Sequence, residues 1–170
     1  MLSSTTRRRH VIAAAVLAAA AALCTSCSSG GSHQATGPDG ITATQVSTEF
    51  KAEQQHLTLA PKWVWPADPT PESKGPDGRA MMFGRGYGTT HADFYWMCSW
   101  ERYYLSPGIS TSASDHALAV MKSVSNTEYY KVALLPADQT ALDKEISDAG
   151  LGDKTVLVKD VAVNCPASPA

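Results

Sequence analysis

The sequence predicts a mainly α-helical domain. Three observations carry this. Apolar residues recur at helical spacing in five separate segments, Pro and Gly crowd into one stretch between the first two, and six of the thirteen aromatic residues lie between Phe94 and Tyr104. The alternative is an α+β domain that ends in a hairpin.

Residues 44–57 put Val46, Phe50 and Leu57 at helical spacing. Residues 58–89 lose that period. They hold Pro61, Pro66, Pro69, Pro71 and Pro76 with Gly75, Gly78, Gly84, Gly86 and Gly88. Proline removes a backbone donor and blocks helix, so a long loop is expected. Trp63 and Trp65 sit inside it, and two indoles are costly to expose, so they pin the loop to the core. Residues 80–83 form a short strand in this reading. Gly-Pro-Asp-Gly occurs at 37–40 and again at 75–78, each copy a turn signal.

The central element spans 90–105. Thr90 and Asp93 fit a capping box. At 100° per residue Ala92, Trp96, Ser99, Trp100 and Tyr103 share one face, while Phe94, Cys98 and Leu105 share the other. A helix apolar on both sides is buried on both sides. Glu101 and Arg102 then mark its wetter flanks. Residues 112–124 form the next helix, with Ser112 and Asp115 as a second capping box and Ala117, Val120, Met121 and Val124 inward. Residues 128–135 are apolar and ambiguous.

Residues 138–149 place Leu142, Ile146 and Ala149 inward, and Gly150 suits the C′ position, with Leu151 as its hydrophobic contact. The last element, 153–165, has Asp153 as N-cap and Leu157, Val158, Val161 and Cys165 on one helical face. Its four valines favour strand, and Lys159-Asp160 could turn a hairpin. Helix is the preferred reading.

The N-terminal end is of another kind. Arg7, Arg8 and Arg9 precede an Ala-rich apolar run over 11–23, the pattern of an export signal. A helix of that length rises about 20 Å, short of the ~30 Å hydrocarbon core. Arg8-Arg9-His10-Val11-Ile12 resembles a twin-arginine signal; the plainer reading is a basic leader. Leu23-Cys24-Thr25-Ser26-Cys27 resembles the bacterial lipobox, with Cys27 as the acylated residue and Cys24 where Leu is usual. The alternative is ordinary cleavage after the Ala run, which leaves both cysteines in the mature chain. Residues 28–40 are rich in Gly and Ser and form a tether. The expected organisation is a signal peptide at 1–26, a lipidated Cys27 with its tether at 27–40, and one globular domain at 41–170.

The whole chain carries 14 basic and 16 acidic residues. Removing the leader takes away three arginines and no acid, leaving a charge near −5. That argues against a nucleic-acid partner, which needs basic groups to displace phosphate counterions. Once Cys27 is lipidated, Cys98 and Cys165 remain, and an even pair in an exported domain predicts a disulfide. No paired spacing of metal ligands is present, and neither a metal nor another cofactor is expected.

Tyr95-Trp96-Met97-Cys98-Ser99-Trp100-Glu101, a later Gly152-Asp153 and a terminal Asn164-Cys165-Pro166 resemble small exported actinobacterial lipoproteins of an uncharacterised family, over residues 57–166. The resemblance implies a mostly helical domain with the same cysteine pair. It brings no catalytic residue.

Candidate chemistry is sparse. His91 with Asp93, and Asp115 with His116, could supply an acid/base pair or metal ligands, but His91 and Asp93 are two apart and diverge on a helix. No Gly-x-Ser-x-Gly elbow marks a nucleophile. Gly84-Arg85-Gly86-Tyr87-Gly88 lacks phosphate-loop spacing and reads as a tight connection, although Arg85 and Tyr87 beside a helix N-terminus offer a seat for an anion. The aromatic cluster reads as core rather than as the lining of a ligand pocket. The expectation is a membrane-anchored, extracytoplasmic, non-enzymatic binding module. Its partner is an envelope protein or small ligand. The alternative is a small envelope hydrolase using a His/carboxylate site.

Overall fold

The computed structural model describes residues 40–167. The leader, Cys24, Cys27 and the tether therefore lie outside the described residues. The described residues form five α-helices: α1 (Ala43–Glu53), α2 (Tyr87–Tyr104), α3 (Thr111–Lys122), α4 (Pro136–Gly150) and α5 (Thr155–Asn164). A 3-10 turn at Ser123–Asn126 and a π-helical turn at Tyr129–Ala133 join α3 to α4. The domain is mainly helical, and the C-terminal hairpin is not formed. Residues 80–83 make no strand; Phe83 and Ala80 form isolated antiparallel bridges with Ile41 and Lys74. Among the described residues no helix is long and apolar enough to cross a membrane.

Helix α2 is the centre. Trp96 through Glu101 are six consecutive buried residues, as expected of a helix covered on both sides. Trp96, Met97, Trp100 and Tyr104 pack with Ala117 and Met121 of α3, Leu142, Ile146 and Ala149 of α4, and Leu157 and Val161 of α5. A smaller cluster of Ile41, Ala43, Val46 and Phe83 sits at the other end.

The polar tips of the α2 aromatics organise the Pro-rich loop. Trp100 Nε1 donates to the Thr58 carbonyl at 2.9 Å, and the Tyr95 hydroxyl donates to Val64 at 2.8 Å. The Ala60 N–H donates to the buried Ser99 hydroxyl at 3.1 Å. Trp65 stacks on Tyr95 at 5.5 Å, Trp63 meets the same ring edge-on, and Trp65 also meets Phe50. The first part of the loop is thus held largely by side chains: Trp100, Tyr95 and Ser99 each pair a backbone carbonyl or amide, and Trp63 and Trp65 add ring contacts.

Several helix ends differ from expectation. Helix α1 starts one residue earlier, at Ala43 behind a Thr42–Gln45 capping box, and stops before Leu57. Helix α2 begins at Tyr87, not at Thr90: Gly86, with φ +80°, turns the chain into the helix, and Thr90 lies within the first turn bonding back to Tyr87. Helix α3 is capped by Ser110, whose oxygen accepts from Ala113, rather than by Ser112. Helix α4 starts at Pro136, where the missing N–H costs nothing. Its C′ residue is Gly152 (φ +99°) rather than Gly150. Gly152 N–H bonds Ala149 and Asp153 N–H bonds Asp148, a Schellman ending, while Leu151 is 85% exposed and makes no hydrophobic contact. Gly150 serves packing instead: a Cβ there would come within 2.8 Å of Leu118.

The disulfide links Cys98 of α2 to Cys165 just past α5, with Cα atoms 5.4 Å apart. Arg102 Nη2 adds two bonds to the same helix end, to Val161 O at 3.1 Å and Cys165 O at 2.8 Å. Helix α5 is short and Val-rich, and such a segment has little helical stability alone. Its apolar stripe and these ties to α2 decide its conformation.

Candidate functional site

The glycine loop before α2 already holds an anion, and the anion is internal. Glu49 of α1 accepts from Gly86 N–H at 3.0 Å and from Gly88 N–H at 3.1 Å. A carboxylate at a helix N-terminus meets unsatisfied amides and the positive end of the dipole. The seat for an external anion is therefore filled, and Arg85 and Tyr87 remain exposed beside it. Gly88 permits this arrangement: a Cβ would lie 2.2 Å from the Val46 carbonyl oxygen.

Asp93 has no capping role. It is 1% exposed, and Oδ2 accepts from the Tyr129 N–H at 3.0 Å, fixing the π-helical turn. Burial raises its pKa, against the lowering effect of that hydrogen bond. His91 packs edge-on against Phe50 at 5.6 Å, and desolvation lowers its pKa. His116 is exposed on α3 with its ring edge-on to Trp100 at 5.3 Å, and Asp115 beside it is exposed. The two histidines line different clefts. His91 faces Asp68, Thr70 and the prolines of the long loop. His116 shares a wider cleft with Asp93, Trp96, Trp100 and Ser123. Among the described residues neither imidazole is hydrogen-bonded to a carboxylate or hydroxyl, and the structure does not bring the two histidines together.

The unusual chemistry lies elsewhere, where α2, α4 and α5 converge. Glu101 is not at a wet flank. It is fully buried at 0% exposure, and Glu145 of α4 is 9% exposed. With the half-buried Asp160 of α5 they bring carboxylate oxygens within 4.8 Å of one another. One oxygen each of Glu101 and Glu145 has no hydrogen-bond partner. Asp160 accepts only from Asn164, at 2.7 Å. The nearest cation by sequence, Arg102, spends Nη2 on backbone carbonyls instead of on these acids. The ion pairs among the described residues, Arg79–Asp77 and Lys144–Asp148, lie on the surface.

This concentration of negative charge has the expected effect. Burial, then Asp160 and Glu145, push Glu101 up to about 8; Arg102 opposes them. Burial, then Asp160, push Glu145 up to about 7. Burial and the surrounding acids raise Tyr129 to about 12. Cys165 Sγ lies 3.3 Å from Glu101 Oε2. A disulfide sulfur has no proton to give, so that contact does nothing for the ionised carboxylate.

The cluster opens into a cleft of about 410 Å³. Glu145 and Asp160 stand in its wall with Asp138 and Asn164, facing Tyr129 and Phe94. Glu101 sits behind them, against α2. The arrangement can stabilise positive charge: three acid groups in low dielectric, two with idle oxygens, beside aromatic faces.

These residues escaped notice in the sequence, yet a signal existed. Glu145 falls within the apolar stripe Leu142, Ile146, Ala149; Asp160 adjoins Leu157 and Val161; Glu101 lies in a helix buried on both sides. An acid in register with an apolar stripe is a buried acid. Matching against known families, curated proteins and solved structures returns no similar protein.

Proposed function

We propose that this chain is a membrane-anchored extracytoplasmic binding module whose cleft between α2, α4 and α5 takes a small positively charged ligand. The observation that carries the ligand side is the pair of buried carboxyls, Glu101 and Glu145, with oxygens that no protein group satisfies. Native structures seldom leave such groups idle without a use for them. The location side is supported by the Arg/Ala leader, the lipobox-like Leu23–Cys27 stretch, the Gly/Ser tether and a disulfide suited to an oxidising compartment. The hydrolase alternative draws no support from His91 or His116, which line separate clefts.

A thermal-shift panel tests the ligand side. Small organic and inorganic cations should raise the melting temperature of the full chain, neutral and anionic compounds of similar size should not, and Glu145→Gln should remove the effect. The anchor is tested separately. Intact mass of the membrane fraction should show an acylated N-terminus at Cys27, and Cys27→Ser should release the protein. An unmodified chain that begins before Cys27 and stays with the membrane would reject the anchor.

A further inference from the structure

We infer that Glu101, Glu145 and Asp160 form a binding site for a hard divalent metal ion of the calcium or manganese type. This rests on the reading of the cleft as a cation site and deepens it.

An acidic cluster alone would not carry this. Three features of this one do. Glu101 and Glu145 are each at least nine-tenths buried, and each keeps one unpartnered oxygen. Among the described residues Glu101 in particular has no cationic side chain paired with it. The cluster also has ligand geometry. Oxygens on opposite sides of an ion at the usual calcium–oxygen distance of about 2.4 Å stand about 4.8 Å apart, and one carboxylate oxygen from each of the three residues lies within 4.8 Å of the other two. The donors come from three helices. Glu101 sits on α2, Glu145 on α4 and Asp160 on α5, and α5 is held to α2 by the Cys98–Cys165 bridge and Arg102. The positions are thus fixed by the fold rather than by loop closure.

The donor set is oxygen only. The cluster offers no imidazole, and the nearby Cys98 and Cys165 sulfurs are committed to the disulfide. That excludes a zinc- or copper-type preference and leaves the hard cations. Three carboxylates do not fill a shell of six or more. The remaining positions face the cleft, where Asn164 and Asp138 stand and water has access. Asn164 already donates to Asp160, which leaves its amide oxygen free to accept or ligate.

The test uses the full-length chain in detergent, freed of metal by chelation. Ca²⁺ and Mn²⁺ are titrated by calorimetry, and Tb³⁺ by sensitised luminescence with Tyr129 in the cleft wall as antenna. One ion should bind per chain, with an affinity on the order of 10⁻⁴–10⁻³ M, as in extracellular calcium modules. Glu145→Gln and Asp160→Asn should each weaken it at least about tenfold, while circular dichroism stays unchanged. Asp77→Asn, at an exposed loop residue that does not line the cleft, should bind like the parent. Failure of the folded parent to bind any of the three ions at about 10 mM, or undiminished binding by both variants, overturns the metal site. A chain that binds an organic amine in the cleft but no metal ion overturns this inference and leaves the cation-binding module standing.

Discussion

Glu49 and Glu101 both bring a carboxyl group against helix α2, and they meet opposite fates. Glu49 reaches the N-terminal end, where the amides of Gly86 and Gly88 donate to both its oxygens. Glu101 sits in the second half, fully buried, with Oε1 unpartnered and two more acids as neighbours. One carboxylate completes a fold; the other is a cost the fold bears. The contrast separates an acid whose oxygens the fold satisfies from one that it leaves with an unsatisfied oxygen. The difference can be attacked at either end of α2.

The largest effect is expected at the Glu101 end, from the bridge that holds α5 against it. The Cys98–Cys165 link closes a 67-residue separation, for which the chain-entropy argument gives about 4 kcal/mol. The double variant Cys98→Ala/Cys165→Ala should lose an amount of that order in denaturant unfolding. It should lose helix content from α5 first, because a Val-rich segment has little intrinsic helicity. Non-reducing peptide mapping of the parent should show the link directly. Two free thiols would remove the staple, and with it the rigidity claimed for the acid cluster.

At the Glu49 end the corresponding stress point is Gly88. A methyl group there would stand 2.2 Å from the Val46 carbonyl oxygen and 2.7 Å from Glu49 Cβ. Backbone does not yield as a flexible side chain does, so α1 must shift away from α2. Gly88→Ala should cost about 3 kcal/mol, seen as a lower melting temperature with α2 intact. A neutral result would mean that α1 is not seated as described.

Next in size is a pH effect at the Glu101 end, read in chelator so that no divalent ion competes. Glu101 and Glu145 have folded pKa values near 8 and 7, raised above their ordinary value of 4.5. Such groups bind protons more tightly when folded. Their stabilising contribution is full below about pH 4.5 and is lost as pH rises through about 7 and 8. The groups facing Glu101 are Glu145, Asp160, Arg102 and, more distantly, Tyr129. Between pH 5 and pH 8 stability should fall by on the order of 2 kcal/mol. Glu101→Gln should flatten that slope and leave the variant the more stable form at pH 8. Parallel slopes in parent and variant would place the titration elsewhere.

Most of the scaffold was legible in the sequence because burial writes itself as period. The stripes Ala117–Met121–Val124 and Leu142–Ile146–Ala149 became core as expected, and the aromatic run around Trp96 and Trp100 became the central helix. Helix ends were poorly legible. Thr90 with Asp93, and Ser112 with Asp115, have the composition of capping boxes. In the structure Gly86 and Ser110 hold the N-cap positions, because long-range contacts select among several local options. For α2 the deciding contact is Glu49, 37 residues away from Gly86. The site was missed for a related reason. The charge of Glu101 suggests a wet flank, although a helix apolar on two faces has little wet flank to offer. Here register, rather than residue type, decides burial.

The smallest effect distinguishes the two acids most sharply, because it applies the same substitution to both. Glu49→Gln keeps the shape and one accepting oxygen but removes the charge that faces two amides and the helix dipole. It should cost about 1 kcal/mol. Glu101→Gln removes a charge that nothing compensates, and at pH 8 it should change stability in the opposite direction. Opposite signs from one chemical change on one helix would mean that partner geometry, rather than acidity or burial alone, decides whether a carboxyl supports this fold. Equal losses at both sites would mean that Glu101 has a satisfying partner in solution, and the cluster would then have no idle oxygen to offer a ligand.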